Sequence, residues 1–135
     1  MISFEDKHVH LEMIQNIISR LSHNSFMLKS WSIVLVSAMF ALSAKDSNTA
    51  FMVLAYFPVI TFWLLDGYYL QKERTYRELY DLVRVKDGDN IDFSMDTELI
   101  EKHISFWFDA VLSKNIIMFH GVVLLVIIMV TVSFI

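Results

Sequence analysis

Apolar and charged residues alternate in long blocks along this chain, and three of the blocks are almost purely apolar. Residues 50–65 and 115–135 contain no Asp, Glu, Lys or Arg, and residues 26–44 contain only Lys29. As a helix, the last block is about 31 Å long, enough to cross a hydrocarbon core of about 30 Å. A helix on a soluble protein keeps a polar face, and this block has none. The pattern predicts an all-α membrane protein with three transmembrane helices.

The polar residues between these blocks divide the chain into four regions. Residues 45–49 are long enough only for a tight turn, so we expect 26–66 to form an antiparallel transmembrane hairpin. Residues 67–114 follow as a polar helical region, and 115–135 form the third span. In residues 1–25, apolar side chains recur every four positions, which predicts an amphipathic helix lying on the membrane or on a neighbouring subunit. These side chains are Val9, Met13, Ile17 and Leu21, with Ile14 and Ile18 beside them.

Composition supports a membrane location, and the distribution of charge predicts how the chain is oriented in the membrane. Hydrophobic residues make up 56% of the chain and charged residues 19%, which is too apolar for a typical soluble domain. Lys45 is the one basic residue in the turn 45–49, and all other Lys and Arg lie in 1–44 and 67–114. The positive-inside rule therefore predicts that the N-terminus and residues 67–114 are cytoplasmic and that the C-terminal end faces outward. Neither polar region is large enough to build a core easily, so we expect a homo-oligomer.

Two charged residues stand at the edges of the first two spans. Lys29 is close to the start of the first span, and Asp66 directly follows the second. On antiparallel neighbouring helices they reach the same depth, so we expect them to form an ion pair. The alternative is that each is solvated separately, with Lys29 extending to the membrane surface.

Uncharged polar residues and a proline within the spans are candidates for a conduction path. His120 either lines a conduit or bonds to another helix, because a polar side chain at that depth rarely faces lipid. Thr131 and Ser133 are further conduit candidates in the same span. Pro58 removes a backbone hydrogen bond in mid-span, which indicates a kink that either serves as a hinge or only shapes the helix.

Basic residues outside the spans are the candidates for binding an anion. Guanidinium groups suit phosphate, but Arg and Lys beside a membrane also maintain topology and contact anionic lipid. The candidates are Arg20, Lys72, Arg74, Arg77 and Arg84. We find no catalytic motif, metal-ligand cluster or phosphate-binding loop in the sequence, so we expect neither an enzyme nor a cofactor.

Three stretches, residues 20–31, 57–84 and 91–96, resemble a group of small bacterial membrane proteins. The first contains N-S-F-x-x-K-x-W, the second P-x-x-x-F-W-x-L-D-x-Y-Y-L-x-x-E-R-x-Y-R-x-L-Y, and the third is IDFSMD. These patterns are similar to membrane effectors of anti-phage defence, in particular the channel component of Hailong-type systems. The resemblance implies an oligomeric ion channel in the bacterial inner membrane, held shut by a DNA oligomer that a partner nucleotidyltransferase makes. Loss of that oligomer during infection would open the channel.

Three functions stand as hypotheses. The first is a homo-oligomeric ion channel gated by a cytoplasmic nucleotide or oligonucleotide, because three helices cannot enclose a hydrated path alone. The second is a non-conducting membrane anchor or scaffold that docks a soluble partner through residues 67–114. The third is a small transporter subunit. Ion leakage through the purified protein separates the first hypothesis from the second.

Overall fold

The structure is a computed structural model that describes residues 4–102 and 107–134. These ranges contain helices, turns and extended segments but no β-strand. The helices within them are α1 (Phe4–Asp46), α2 (Ala50–Leu54), α3 (Tyr56–Val85), α4 (Glu98–Glu101), α5 (Trp107–Val111) and α6 (Lys114–Phe134). A short 3-10 helix at Gly88–Asn90 lies between α3 and α4.

Three helical stretches in the described ranges are long and apolar enough to cross a membrane: α1, the α2–α3 pair and α6. This finding confirms the prediction of an all-helical chain with three apolar spans, and it indicates a membrane location. The predicted third span corresponds to α6, although position 135 lies outside the described residues. The predicted polar region 67–114 is divided among the end of α3, α4 and α5, and its positions 103–106 are also outside the described residues.

The first helix differs from the division that we expected at residue 25. We predicted a separate amphipathic helix in 1–25 and a span in 26–44, but α1 runs unbroken for 43 residues. The sequence has no Gly or Pro between residues 4 and 46, so nothing interrupts the ladder of backbone hydrogen bonds. Residues 4–25 are therefore a direct continuation of the first apolar helix and not a separate element.

A tight turn joins α1 to α2. Ser47 adopts a left-handed conformation with a φ of 50°, which reverses the direction of the chain. Ser43 Oγ donates a hydrogen bond of 2.9 Å to Asn48 O, and the Asn48 side chain accepts one of 2.9 Å from Ala50 N. The polar turn residues thus satisfy backbone groups that the two helix ends leave open. The outcome is the antiparallel hairpin that the sequence predicts.

The break between α2 and α3 falls at Ala55, three residues before Pro58. Proline has no amide hydrogen, so it cannot donate to the carbonyl of Leu54 one turn earlier. Ala55 N is shared between the carbonyls of Phe51 and Met52, at 3.2 Å each. Pro58 itself is buried. The irregularity that proline causes in this span is thus the break at Ala55, just before Pro58.

Two apolar cores lie along the helices, one on each side of Asp66. We call residues 4–24 and 67–102 the polar bundle. Its core is formed by α1, α3 and the segment that follows α3, through Ile14, Ile18, Leu79, Val83, Ile91 and Ile100. The membrane core joins α1 and the second span to α6, through Val36, Ala55, Val59 and Ile127. The polar bundle therefore has an apolar core of its own, built from residues that are distant in the sequence.

Helices α3 and α5 make their closest approach at Gly67. A Cβ atom on Gly67 would overlap Val111 Cγ2 and would lie 3.0 Å from Val111 Cα. Two indoles close the same contact, since Trp63 Nε1 donates to Val111 O at 3.0 Å and Trp107 Nε1 donates to Leu64 O at 3.3 Å. These bonds hold α5 against α3 just before α6 begins.

We expect Gly67→Ala to lower the free energy of unfolding by about 1–3 kcal/mol, because the added methyl group must push α5 away from α3. Gly121→Ala is the matched control, since the nearest atom to its new Cβ, Ile117 Cγ2, is 3.9 Å away. Unfolding of both variants in detergent, followed by circular dichroism, measures the difference. Equal stability of the two variants would contradict this packing.

Candidate functional site

Asp66 lies where the apolar part of α3 ends, and its side chain is completely buried. A buried carboxylate is costly unless it is paired and hydrogen-bonded. Asp66 receives partners from two other helices: Lys29 Nζ is 2.6 Å from Oδ2, and His120 Nε2 is 2.9 Å from the same oxygen. The Ser25 hydroxyl donates to Oδ1. We call Ser25, Lys29, Asp66 and His120 the polar cluster.

Helix α1 supplies two members of the polar cluster from one face. Ser25 and Lys29 are four residues apart, about one helical turn, so both side chains can reach α3. Lys29 Nζ also donates to Ser25 Oγ at 2.8 Å. The Lys29 side chain keeps 25% of its surface exposed, whereas that of Asp66 keeps none. The two residues that the sequence analysis paired are thus in contact, with the ammonium group at the edge of the fold and the carboxylate inside it.

Helix α6 contributes His120, which is fully buried. The Trp63 indole stacks on the imidazole with 6.0 Å between ring centroids and 7° between the planes. The Phe119 ring meets the imidazole edge-on at 5.1 Å, and Lys29 Nζ lies 5.9 Å from the centroid of that phenyl ring. The ring of His120 is therefore enclosed by aromatic groups and directed at Asp66.

The bond between His120 and Asp66 indicates which imidazole nitrogen carries the proton. A carboxylate only accepts hydrogen bonds, so His120 Nε2 donates to Asp66. His120 Nδ1 has no hydrogen-bond partner among the described residues. The polar cluster thus directs three donors, Lys29, Ser25 and His120, at the Asp66 carboxylate.

The sequence left two roles open for His120: to line a conduit or to bond to another helix. In the structure His120 is buried in the protomer, and its hydrogen bond to Asp66 connects α6 to α3. Sequence reasoning did not identify Ser25 or Trp63 as members of this site. The sequence does hold a signal for Ser25, which is one turn from Lys29. It holds none for the stacking of Trp63, because that contact depends on how α6 is rotated about its axis.

The other two conduit candidates form hydrogen bonds to their own helix. Thr131 Oγ1 donates to Ile127 O at 2.8 Å and accepts from Tyr56 OH at 3.5 Å, so it also connects α6 to α3. Ser133 Oγ donates to Met129 O at 2.8 Å. Its side chain is exposed on the surface of the protomer. Ser133 is thus the conduit candidate that a neighbouring copy could reach.

Three of the five basic candidates form ion pairs with acidic side chains. The pairs are Lys72–Glu101 at 2.6 Å, Arg77–Glu73 at 2.7 Å and Arg84–Asp81 at 3.4 Å. The hydrogen bond from Lys72 holds the pKa of Glu101 below its ordinary value. These pairs neutralise much of the positive charge that the sequence concentrates after the second span.

Arg20 and Arg74 differ from the other basic candidates, because neither has an ion pair or side-chain hydrogen bond within the described ranges. Arg20 precedes Lys29 by nine residues on α1, and Arg74 follows Asp66 by eight on α3. Since Lys29 and Asp66 are paired on antiparallel helices, both arginines stand about 12–14 Å from the polar cluster along the helix axes. The two arginines that have no ion pair within the described ranges therefore lie at one height in the polar bundle.

The described residues contain no group of three or more His, Cys, Asp or Glu side chains placed to hold a metal ion. The polar cluster bonds three helices to one another. Each of its hydrogen bonds forms only at one rotation of these helices relative to one another. No family model, curated protein or solved structure matches this chain. Function is therefore inferred from the geometry above and from the sequence patterns that resemble anti-phage membrane effectors.

We expect Asp66→Asn to reduce the free energy of unfolding by about 3–5 kcal/mol, because it leaves the Lys29 ammonium group without its counter-charge. Asp81→Asn is the matched control, since Asp81 is 61% exposed and its removal should cost less than about 1 kcal/mol. Unfolding in detergent measures both changes. The double variant Lys29→Met, Asp66→Leu should be more stable than Asp66→Asn, because no charge then remains buried; a less stable double variant would contradict this.

Proposed function

We propose that this chain is the protomer of an oligomeric ion channel that acts as an anti-phage defence effector in the bacterial inner membrane. A cytoplasmic nucleotide or oligonucleotide gates the channel, and opening depolarises the membrane. The observation that carries the proposal is the continuity of α1 and α3, which run from the polar bundle through the polar cluster into the spans. Helices α1 and α3 would therefore connect a ligand bound to the polar bundle with a conduction path between the spans.

The number of spans supports an oligomer. Three helices are too few to surround a hydrated path, and the side chains of Asp66 and His120 are buried inside the protomer. A conduction path therefore runs between copies, and a ring is the simplest closed arrangement of identical copies. Exposed Ser133 on α6 is the described conduit candidate that can face such a path.

The polar cluster is suited to act as the moving part. It connects all three spans at the level where the polar bundle begins, and its bonds depend on the rotation of α1, α3 and α6 relative to one another. A ligand that binds one arrangement more tightly shifts the population by that difference in affinity. The cluster thus offers two discrete states: bonds formed, or bonds exchanged for water or for a neighbouring copy.

The sequence patterns agree with this role for the polar cluster. Ser25 and Lys29 belong to the N-S-F-x-x-K-x-W pattern, and Trp63 and Asp66 belong to the longer pattern of the second span. The residues that carry the resemblance to channel components of anti-phage systems are thus among those assembled between the helices. The resemblance also supplies the proposed ligand class, a short DNA oligomer, and the proposed partner, a nucleotidyltransferase.

Arg20 and Arg74 are the proposed contacts for an anionic ligand. They have no ion pair within the described ranges and lie at one height of the polar bundle, about 12–14 Å from the polar cluster. Arginine forms paired hydrogen bonds with phosphate, and such charge-assisted bonds are stronger than neutral ones. Binding between α1 and α3 would therefore act on the two helices that enter the membrane.

Ion flux from liposomes tests the proposed function. We expect purified protein to release K⁺ from liposomes that contain this protein alone, and short single-stranded DNA oligomers to reduce the release. Empty liposomes and liposomes with an unrelated three-span protein are the controls. Insertion without any release, at several protein densities and with or without the oligomers, would contradict the channel and favour the anchor or scaffold.

Arginine variants test the proposed ligand contact. We expect Arg74→Gln or Arg20→Gln to weaken the effect of the DNA oligomers about tenfold, which corresponds to about 1.4 kcal/mol. Arg77→Gln is the matched control, because Glu73 already neutralises Arg77 in the free protein. The measurement is the concentration of oligomer that halves K⁺ release. A larger effect of Arg77→Gln than of Arg74→Gln would contradict the assignment.

A further inference from the structure

Two nitrogen atoms from different helices share one oxygen of the Asp66 carboxylate. Lys29 Nζ on α1 lies 2.6 Å from Oδ2, and His120 Nε2 on α6 lies 2.9 Å from the same atom. The other oxygen, Oδ1, accepts from the Ser25 hydroxyl. Nζ and Nε2 are therefore no further apart than the sum of the two distances, so positive charges on both would repel each other. One carboxylate can neutralise only one of them.

Histidine can change its charge under conditions in which lysine keeps its own. An imidazole gains or loses its second proton between about pH 5 and 8, whereas an ammonium group beside a carboxylate stays charged in that range. With Nε2 of His120 directed at Asp66, the second proton belongs on Nδ1, which has no hydrogen-bond partner among the described residues. Within those residues, Asp66 is the titratable group bonded to the ring, and Lys29 faces it across the shared oxygen.

The surroundings of the two nitrogen atoms determine which group gives way. His120 is fully buried, with the parallel indole of Trp63 stacked 6.0 Å from its ring. Lys29 keeps 25% of its side-chain surface exposed and reaches Asp66 from the edge of the fold. A long flexible side chain can carry its ammonium group into water, and a cation over an indole face is attracted by the ring. Lys29 is therefore the cation that can leave.

We propose that the polar cluster is a proton-operated switch, in which protonation of His120 on Nδ1 transfers the ion pair of Asp66 from Lys29 to His120. The proton comes from water, and no bond between heavy atoms changes. Lys29 then turns toward solvent, so α1 loses its charged bond to α3 while α6 keeps its own. Acid therefore loosens the one of these helices that continues into the polar bundle through its N-terminal half.

The switch gives the proposed channel a second form of regulation, and in this step it rests on the proposed function. A DNA oligomer that contacts Arg20 on α1 and Arg74 on α3 favours the arrangement in which the two helices are bonded. Protons on the polar cluster favour the other arrangement. Two ligands that prefer opposite states weaken each other's binding, so acid should both increase K⁺ release and weaken the effect of the oligomer.

Tryptophan fluorescence of the full chain in detergent tests the first step. A protonated imidazole stacked on an indole quenches its emission more than the uncharged ring does. The chain has three tryptophans, so Trp31→Phe with Trp107→Phe leaves Trp63 as the reporter. We expect its emission to fall about twofold from about pH 8 to pH 5.5, at unchanged helical content, and to stay constant when His120→Gln is added. Emission that is constant in both proteins, or falls equally in both, would overturn the proposal.

Thermal unfolding in detergent tests the transfer of the ion pair. We expect Lys29→Met to lower the midpoint at least about twice as much at pH 8 as at pH 5.5, because His120 replaces the ammonium group only in acid. This difference should be lost in the His120→Gln background, where protonation of Asp66 alone could act. Lys102→Met is the matched control, since Lys102 is 62% exposed and 3.6 Å from Glu98. A cost of Lys29→Met with the same pH dependence in both backgrounds contradicts the transfer.

Potassium release from liposomes separates this inference from the proposed function. We expect release to increase several-fold as the pH on both sides of the bilayer falls from about 8 to 5.5, and the half-inhibitory concentration of DNA oligomer to increase with it. Neither change should occur in His120→Gln. Fluorescence and unfolding as expected, with no K⁺ release at any pH, reject the channel alone. K⁺ release that oligomers reduce equally at both pH values rejects the switch alone.

Discussion

The burial of the Asp66 carboxylate is the constraint around which the fold is organised. An unpaired carboxylate at this depth would be protonated or expelled, so its position requires donors from the neighbouring helices. Lys29 and Ser25 on α1 and His120 on α6 provide them, which sets the rotation and depth of both helices relative to α3. A rotation of α6 by one residue would turn His120 away from Asp66. Apolar packing alone, between similar aliphatic side chains, does not impose such a precise register.

The polar cluster also separates two cores that hold different parts of the chain. On one side, the membrane core packs the three spans through small and β-branched side chains. On the other side, the polar bundle buries Ile14 and Ile18 against α3 and the segment that follows it. Gly67 and the two indoles fix α5 next to the cluster, so the start of α6 is positioned as well. The polar cluster and the contact at Gly67 therefore connect the polar bundle to the three apolar helices.

The unbroken course of α1 changes the meaning of its N-terminal pattern. Taken as a separate helix, the stripe of Val9 and Met13 suits the surface of a membrane or a neighbouring subunit. In the structure α1 is one helix of 43 residues, so the stripe lies on the same continuous helix as the first apolar span. The charges change in a similar way, since acidic neighbours neutralise Lys72, Arg77 and Arg84 and leave Arg20 and Arg74 as the anion-binding candidates.

The sequence by itself determined the helical class, the three apolar spans, the hairpin and the common depth of Lys29 and Asp66. These features follow from local quantities: hydropathy over about twenty residues, the length of a turn, and distance along a helix. The tertiary structure alone decided the partner of His120, the contact of Gly67 with Val111, which face of α1 is buried, and which arginines have no ion pair among the described residues. Those features depend on the rotation of each helix about its axis, and that rotation results from packing between residues that are far apart in the chain.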